Sequence, residues 1–230
     1  PTILGLRRRL LSVLLAFLLG VPFARAESRY WSGGGAAGAW FDANNWTPNS
    51  NYPQAGDDVG ISNGVTVLLT NSTAPLGSFT ITNATLVFTN WDTTLNATNV
   101  IIRDSGVFTL SSAFTTNQMS NRVYVVCTNL TLEAGGSINA DAHGYWGANG
   151  PGAGRVAVDY YQAGGSHGGL GARGEACLVV PTGTYGSASA PIQPGSGGGC
   201  YADQARIDYA GKGGGVVRIS AAGTVTVRGT

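Results

Sequence analysis

The chain has 230 residues, of which 36 are glycine and only 11% are charged, a composition poor for helices yet too apolar for simple disorder. Its formal net charge is +1, but four arginines fall within the first 26 residues, and the remainder sets nine Lys/Arg against twelve Asp/Glu, a charge of −3. No basic stripe is left to hold phosphates, which excludes nucleic acid and anionic membrane surfaces as expected partners.

In chain order, residues 1–26 read as an export signal. Arg7, Arg8 and Arg9 precede an uncharged run from Leu10 to Val21, followed by Pro22 and the small-x-small site Ala24-Arg25-Ala26. The apolar run is short for a bilayer span, so cleavage before Glu27 is expected and the mature chain has no membrane insertion. The mature protein is expected to be extracellular or held at the cell surface. The chain starts at Pro1 and stops at Thr230 inside a strand pattern, and is read as part of a longer repeat-bearing protein.

Residues 27–57 form a Trp-rich segment with three of the five tryptophans, Trp31, Trp40 and Trp46. Two readings apply. The favoured one is an N-terminal cap in which bulky aromatics close the exposed end of a repeat core. The other is a platform on which Trp31, Trp40 and also Trp146 stack against sugar rings.

Residues 58–140 carry a recurring apolar signature. Two apolar residues separated by one are followed by five small or polar residues and a second such pair. Val59/Ile61 with Val67/Leu69 fits, as do Val100/Ile102 with Phe108/Leu110, Leu130/Leu132 with Ile138/Ala140, and, further on, Val217/Ile219 with Val225/Val227. Phe79/Ile81 with Leu86/Phe88 is one residue shorter. Each copy reads as two short strands with one apolar face. Ile61, Ile81 and Ile102 are spaced by 20 and 21 residues, about one turn of a β-solenoid, and the gaps then widen to 30 and 87. The expected fold is therefore an all-β, right-handed parallel β-helix. Ile61, Ile81, Ile102, Leu132 and Ile219 are expected in a single inward column. The five N-x-[ST] sequons, at Asn45, Asn71, Asn83, Asn96 and Asn129, are read as a by-product of Asn/Thr-rich strands.

Residues 141–215 are Gly-rich loop insertions between continuing strands, with Arg155–Tyr161 and Ala176–Val180 as expected strands. Residues 216–230 form a further turn whose open edge is expected to pair with more chain. Export permits a Cys177–Cys200 disulfide, worth roughly 3 kcal/mol through the unfolded state. Cys127, in an apolar run, is expected as a buried free thiol.

Trp31-Ser32-Gly33, Trp40, Asn45-Trp46, Pro53 and Asp57-Asp58 resemble the opening of large exported surface proteins of environmental bacteria. These are the autotransporter-like and sorting-signal-bearing proteins of planctomycete and verrucomicrobial type. Gly154-Arg155-Val156-Ala157-Val158-Asp159-Tyr160-Tyr161 is similar to their "GGRIAIYY" stretches, and Gly195–Gly199 and Gly213–Ile219 follow in the same order. The resemblance implies a parallel β-helix in a secreted or surface-displayed protein, and supplies no catalytic residues.

Chemistry is sparse. His143, His167, Arg155 and Tyr160 are the candidate catalytic set, since a uronate lyase needs a base and a cation beside the carboxylate. Asp57 and Asp58 are adjacent, so a strand would turn them to opposite faces, and no other acidic pair suits a glycosidase. Asp141, Asp203 and Asp208 with loop carbonyls form a candidate Ca²⁺ set, although no EF-hand loop is present. The expected function is a non-catalytic, adhesin-like structural module, with polysaccharide or cell-envelope components as partners. The alternative is a carbohydrate-active lyase or hydrolase, or a glycan-binding module.

Overall fold

The computed structural model describes residues 26–115, 118–154, 163–172, 183–187, 189–199 and 210–230. The strands are β1 (Ser28–Trp31), β2 (Trp46–Thr47), β3 (Asp58–Ile61), β4 (Thr66–Leu69) and β5 (Leu76–Phe88). They continue with β6 (Leu95–Leu110), β7 (Val123–Leu132), β8 (Ser137–Asn139), β9 (Val217–Ala221) and β10 (Val225–Val227). Among the described residues they join in one ten-stranded sheet, with the path β10-β7-β6-β5-β3-β1-β2 and with β4 on β5, β8 on β6 and β9 on β7. Every pairing is parallel except β1 with β2.

This corrects the expected right-handed parallel β-helix. The architecture is an open, mixed and mostly parallel sheet, and its first two strands run antiparallel. The apolar spacing reports which side chains face the core and how far apart partners lie in sequence. It carries no information about closure, or about the direction of the short β2 return through the Ala43–Asn45 3-10 turn.

Within the sheet the signature has a clear physical basis. Alternating residues of β5 and β6 are buried on one face, and Phe79, Phe88, Phe108, Ile81 and Ile102 are fully buried in one apolar cluster. Burying each such side chain is worth roughly 1.5–3 kcal/mol. The small and polar residues between apolar pairs do not separate two strands there. They kink one long strand: Asn83 (φ 44°) in β5 and Asp104 and Ser105 (φ 46° and 64°) in β6 adopt left-handed backbone, with a register shift between Thr82 and Ala84.

Ile61, Ile81, Ile102 and Leu132 lie in register on neighbouring strands. Ile219 does not join them. It pairs with Val125, which pairs with Leu95, while the neighbour of Leu132 is Val227. The Leu95/Ala97 and Val123/Val125 pairs form a separate parallel ladder that the ten-residue spacing passes over, and it is to this ladder that Val217/Ile219 belongs.

At the β1/β2 edge the indoles form a packed group. Trp31 and Trp40 both meet Trp46 edge-to-face, at centroid distances of 5.1 and 4.9 Å, and Trp40 stacks on Phe79 at 6.0 Å. Trp46 Nε1 donates to the Trp40 carbonyl at 2.7 Å. Beneath β1 lies a buried ion pair. Arg29 Nε donates to Asp57 Oδ2 at 2.7 Å, and its other nitrogens donate to the Pro48 and Asn51 carbonyls, to Glu27 and to Ser50. Asp57 also accepts from the backbone N–H groups of Glu27 and Gln54. Asp42 caps the 3-10 turn, and the Ala36 and Asn44 N–H groups it accepts hold its carboxyl below the usual range.

The described part of the Gly-rich region is an interleaving of three backbone segments. Gly144 N–H donates to Gly213 O, Gly213 N–H to Tyr145 O, Tyr145 N–H to Gly195 O, and Gly195 N–H to Gly214 O. A Cβ on Gly213 would lie 1.7 Å from Gly195 O, whereas one on Gly214 would meet nothing within 4 Å. Gly213→Ala is therefore expected to destabilise by about 3 kcal/mol and Gly214→Ala by far less. Equal unfolding midpoints in a urea titration would refute the packing. The expected strands Arg155–Tyr161 and Ala176–Val180, the expected Cys177–Cys200 disulfide and residues 1–25 of the expected export signal lie outside the described residues.

Cys127 is a buried free thiol in β7, and burial raises its pKa above 9.0. Above pH 9.0 the unfolded chain loses this proton while the folded chain retains it, so stability falls as pH rises. Tyr145 and Tyr185, raised above 10.0 by burial, add the same trend at higher pH. Cys127→Ala is expected to remove the decline between pH 9.0 and 10.0 in pH-resolved thermal melts. A decline that persists unchanged would assign it to other groups.

Candidate functional site

The outward residues of β1, β3, β5 and β6 build a groove of about 320 Å³. Alternation decides its lining. Arg29 and Trp31 turn inward, so Tyr30 turns out and is 61% exposed. Register places Gly60 between Tyr30 and Thr80, and Asp58 between Ser28 and Ser78. Asp58 Oδ1 accepts from Ser78 Oγ at 2.6 Å. The far wall is Thr82, whose hydroxyl oxygen lies 3.4 Å from Arg103 Nε as its acceptor.

Gly60 has a specific role here. A Cβ at this position would lie 2.9 Å from Tyr30 Cδ1 and 3.1 Å from Cε1, so this edge of the phenol ring abuts the β3 backbone. The outcome is an aromatic face, a carboxylate, several hydroxyls and a guanidinium around one concavity. Sequence reasoning passed over Tyr30 because the neighbouring tryptophans drew the aromatic assignment. The signal was the alternation in Ser28–Trp31, which sets Tyr30 opposite Trp31.

A second polar feature lies on β7 and β9. Arg122 Cζ sits 4.8 Å from the Trp91 ring centroid and 4.7 Å from that of Tyr124, and Arg218 Cζ is 4.7 Å from Tyr124. Burial, then the nearby Arg218 charge, lowers the Arg122 pKa, and the Arg122 Nε–H is buried without a partner. The nearest carboxylate, Asp92, is 3.7 Å away and 95% exposed, which makes it a weak counter-charge.

The residues picked from sequence fall as follows. Trp31 and Trp40 are 8% and 0% exposed, so neither offers a free ring face to a sugar. Trp146 is half-buried, with Lys212 Nζ 3.6 Å from its ring centroid. His143 Nδ1 pairs with the Asp141 carbonyl and His167 Nε2 with the Gln193 carbonyl at 3.1 Å, while the His167 ring packs edge-to-face on Tyr185. Arg155 and Tyr160 lie outside the described residues, as do Asp203 and Asp208 of the Ca²⁺ set. Asp141 is exposed, and among the described residues no three His, Cys, Asp or Glu side chains gather where they could hold a metal ion. Asp57 is buried in the ion pair with Arg29 while Asp58 lines the groove, so the two carboxylates lie on opposite faces.

Residues 45–139 match the model of the G8 domain, an extracellular domain found in cell-surface proteins. The matched span contains β2 to β8 and most of the groove, whereas Tyr30 precedes it. No curated protein and no solved structure matches the chain. Among the described residues, no helix is long and apolar enough to cross a membrane.

Proposed function

We propose that the chain is an exported, non-catalytic structural module of the cell surface, adhesin-like in role, with polysaccharide or other cell-envelope components as its partners. The observation that carries this reading is the G8-domain match over residues 45–139. The basic, apolar, small-x-small order of residues 1–26 supports export. The resemblance to exported surface proteins of environmental bacteria points the same way. A rigid parallel sheet with a continuous apolar interior suits display of the Gly-rich loops, because loops carried on a stiff scaffold hold their geometry.

The alternative within this reading is glycan binding without turnover, and the Tyr30 groove is the observation that favours it. A lyase or hydrolase would need His143, His167 or another base held free toward a substrate. Each of these imidazoles instead has a ring nitrogen at a backbone carbonyl.

Two measurements test the proposal. Expressed with residues 1–26, the chain is expected in the periplasm or medium with Glu27 as its first residue. Incubated with uronate-bearing and neutral polysaccharides, the purified chain is expected to release neither unsaturated uronate ends nor reducing ends. Retention in the cytoplasm overturns export, and product release that scales with protein concentration overturns the non-catalytic role.

A further inference from the structure

We propose that the Tyr30 groove is a binding site for a neutral pyranose unit of an oligosaccharide. This deepens the glycan-binding reading above and rests on it. Four features of the groove converge on that ligand. The first is the ring of Tyr30, exposed and seated on Gly60, where β3 has no side chain to lift it. Only its Cδ1–Cε1 edge abuts Gly60, so the ring face stays open, and an open aromatic face is what the C–H face of a pyranose stacks on.

The second is Asp58. Its carboxylate is exposed and already oriented by the Ser78 hydroxyl, leaving acceptor capacity for sugar hydroxyls. The third is the set of hydroxyl groups on Ser78, Thr80 and Thr82, fixed in spacing by β-sheet register, which donate or accept as a ligand requires. The fourth is Arg103, half-exposed at the far wall, which donates to ring or glycosidic oxygens.

The same groups decide between ligand classes. Arg103 already has Asp104 at 3.7 Å, and Asp58 stands free on the other side. A uronate or sulfated sugar would bring its charge against an unpaired carboxylate, so the groove selects a neutral unit. Its volume of about 320 Å³ falls at the lower end of ordinary small-ligand pockets, consistent with one or two sugar rings rather than a long chain.

The test is isothermal titration of the full chain with cellohexaose, mannohexaose, xylohexaose and laminarihexaose as neutral probes, and with trigalacturonate as the charged one. At least one neutral probe is expected to bind in the micromolar-to-millimolar range, with Tyr30→Ala weakening it about tenfold or more. Tyr30→Phe is expected to retain most of the affinity, because stacking needs the ring and not the hydroxyl. Gly60→Ala, which pushes the ring off the strand, and Asp58→Asn are each expected to weaken it. Tyr30 is largely exposed, so Tyr30→Ala should keep the wild-type melting temperature, and the melt confirms that affinity is lost at the site and not through unfolding.

The proposal is overturned if no neutral probe binds the wild-type chain, if Tyr30→Ala binds as well as wild type, or if trigalacturonate binds more tightly than every neutral probe. Failure here leaves export and the absence of turnover standing, since those are read from fractionation and product release. Conversely, a neutral probe that binds and is cleaved would uphold the groove and overturn the non-catalytic module.

Discussion

Asp57→Ala is expected to cost about 3–5 kcal/mol of folding stability, the usual penalty for removing one partner of a buried ion pair. The reason is the neighbourhood of Arg29. Its side chain is 6% exposed and that of Asp57 is 3% exposed. Without the carboxylate, the guanidinium keeps its hydrogen bonds to the Pro48 and Asn51 carbonyls, and Glu27, itself half-exposed, becomes its remaining anionic contact. The backbone N–H groups of Glu27 and Gln54 lose their acceptor at the same time. The double variant Arg29→Met/Asp57→Leu should recover much of the loss, because it removes both charges together. Urea unfolding of the single and double variants measures the coupling. Additive losses would mean that the pair contributes nothing as a pair.

Trp46→Ala should be of similar size, about 3–5 kcal/mol, since it empties a fully buried site between two other indoles. The finer test compares phenylalanine at the two fully buried tryptophans. Trp46 Nε1 donates to the Trp40 carbonyl, whereas Trp40 Nε1 is buried with no partner. Trp46→Phe therefore breaks a hydrogen bond and orphans a carbonyl, while Trp40→Phe removes an unsatisfied donor. Trp40→Phe is expected to be milder by about 1–2 kcal/mol in thermal or urea melts. The opposite order would show that shape, and not hydrogen bonding, sets the cost at this edge.

Much of the sheet was legible in the sequence because side-chain alternation survives any tertiary arrangement. Val59/Ile61, Phe79/Ile81, Val100/Ile102 and Leu130/Leu132 could be read as inward-facing from spacing alone, and Ile61, Ile81, Ile102 and Leu132 do share a register. Ile219 was misplaced because a second ladder has the same local grammar, and only long-range pairing with Val125 separates the two. Closure was not legible either. The antiparallel β2 return depends on three residues of 3-10 turn and a cap at Asp42, signals too short to stand out beside three tryptophans.

The candidate site was less legible for a related reason. Large aromatic residues draw attention as ligand platforms, but in Ser28–Trp31 the larger ring fills the core and the smaller one faces solvent. Gly60 bears on the site only through what it lacks, and a missing side chain on the neighbouring strand, far in sequence from Tyr30, leaves no local pattern. The histidines stood out by rarity, yet each has a ring nitrogen against a main-chain oxygen.

The interleaved glycines have a kinetic consequence. Gly144, Gly195 and Gly213 meet although 51 and 69 residues separate the first from the other two. The bonds that tie Gly144 and Tyr145 to Gly213 and Gly195 therefore form only after long loops have closed, whereas Gly195 to Gly214 closes a much shorter one. The β5/β6/β7 sheet joins segments nearer in sequence and can assemble earlier. Maturation is then expected in two stages, with an early protease-resistant body and a late-setting glycine knot. The interval between them is the period in which a newly made chain is most open to cleavage.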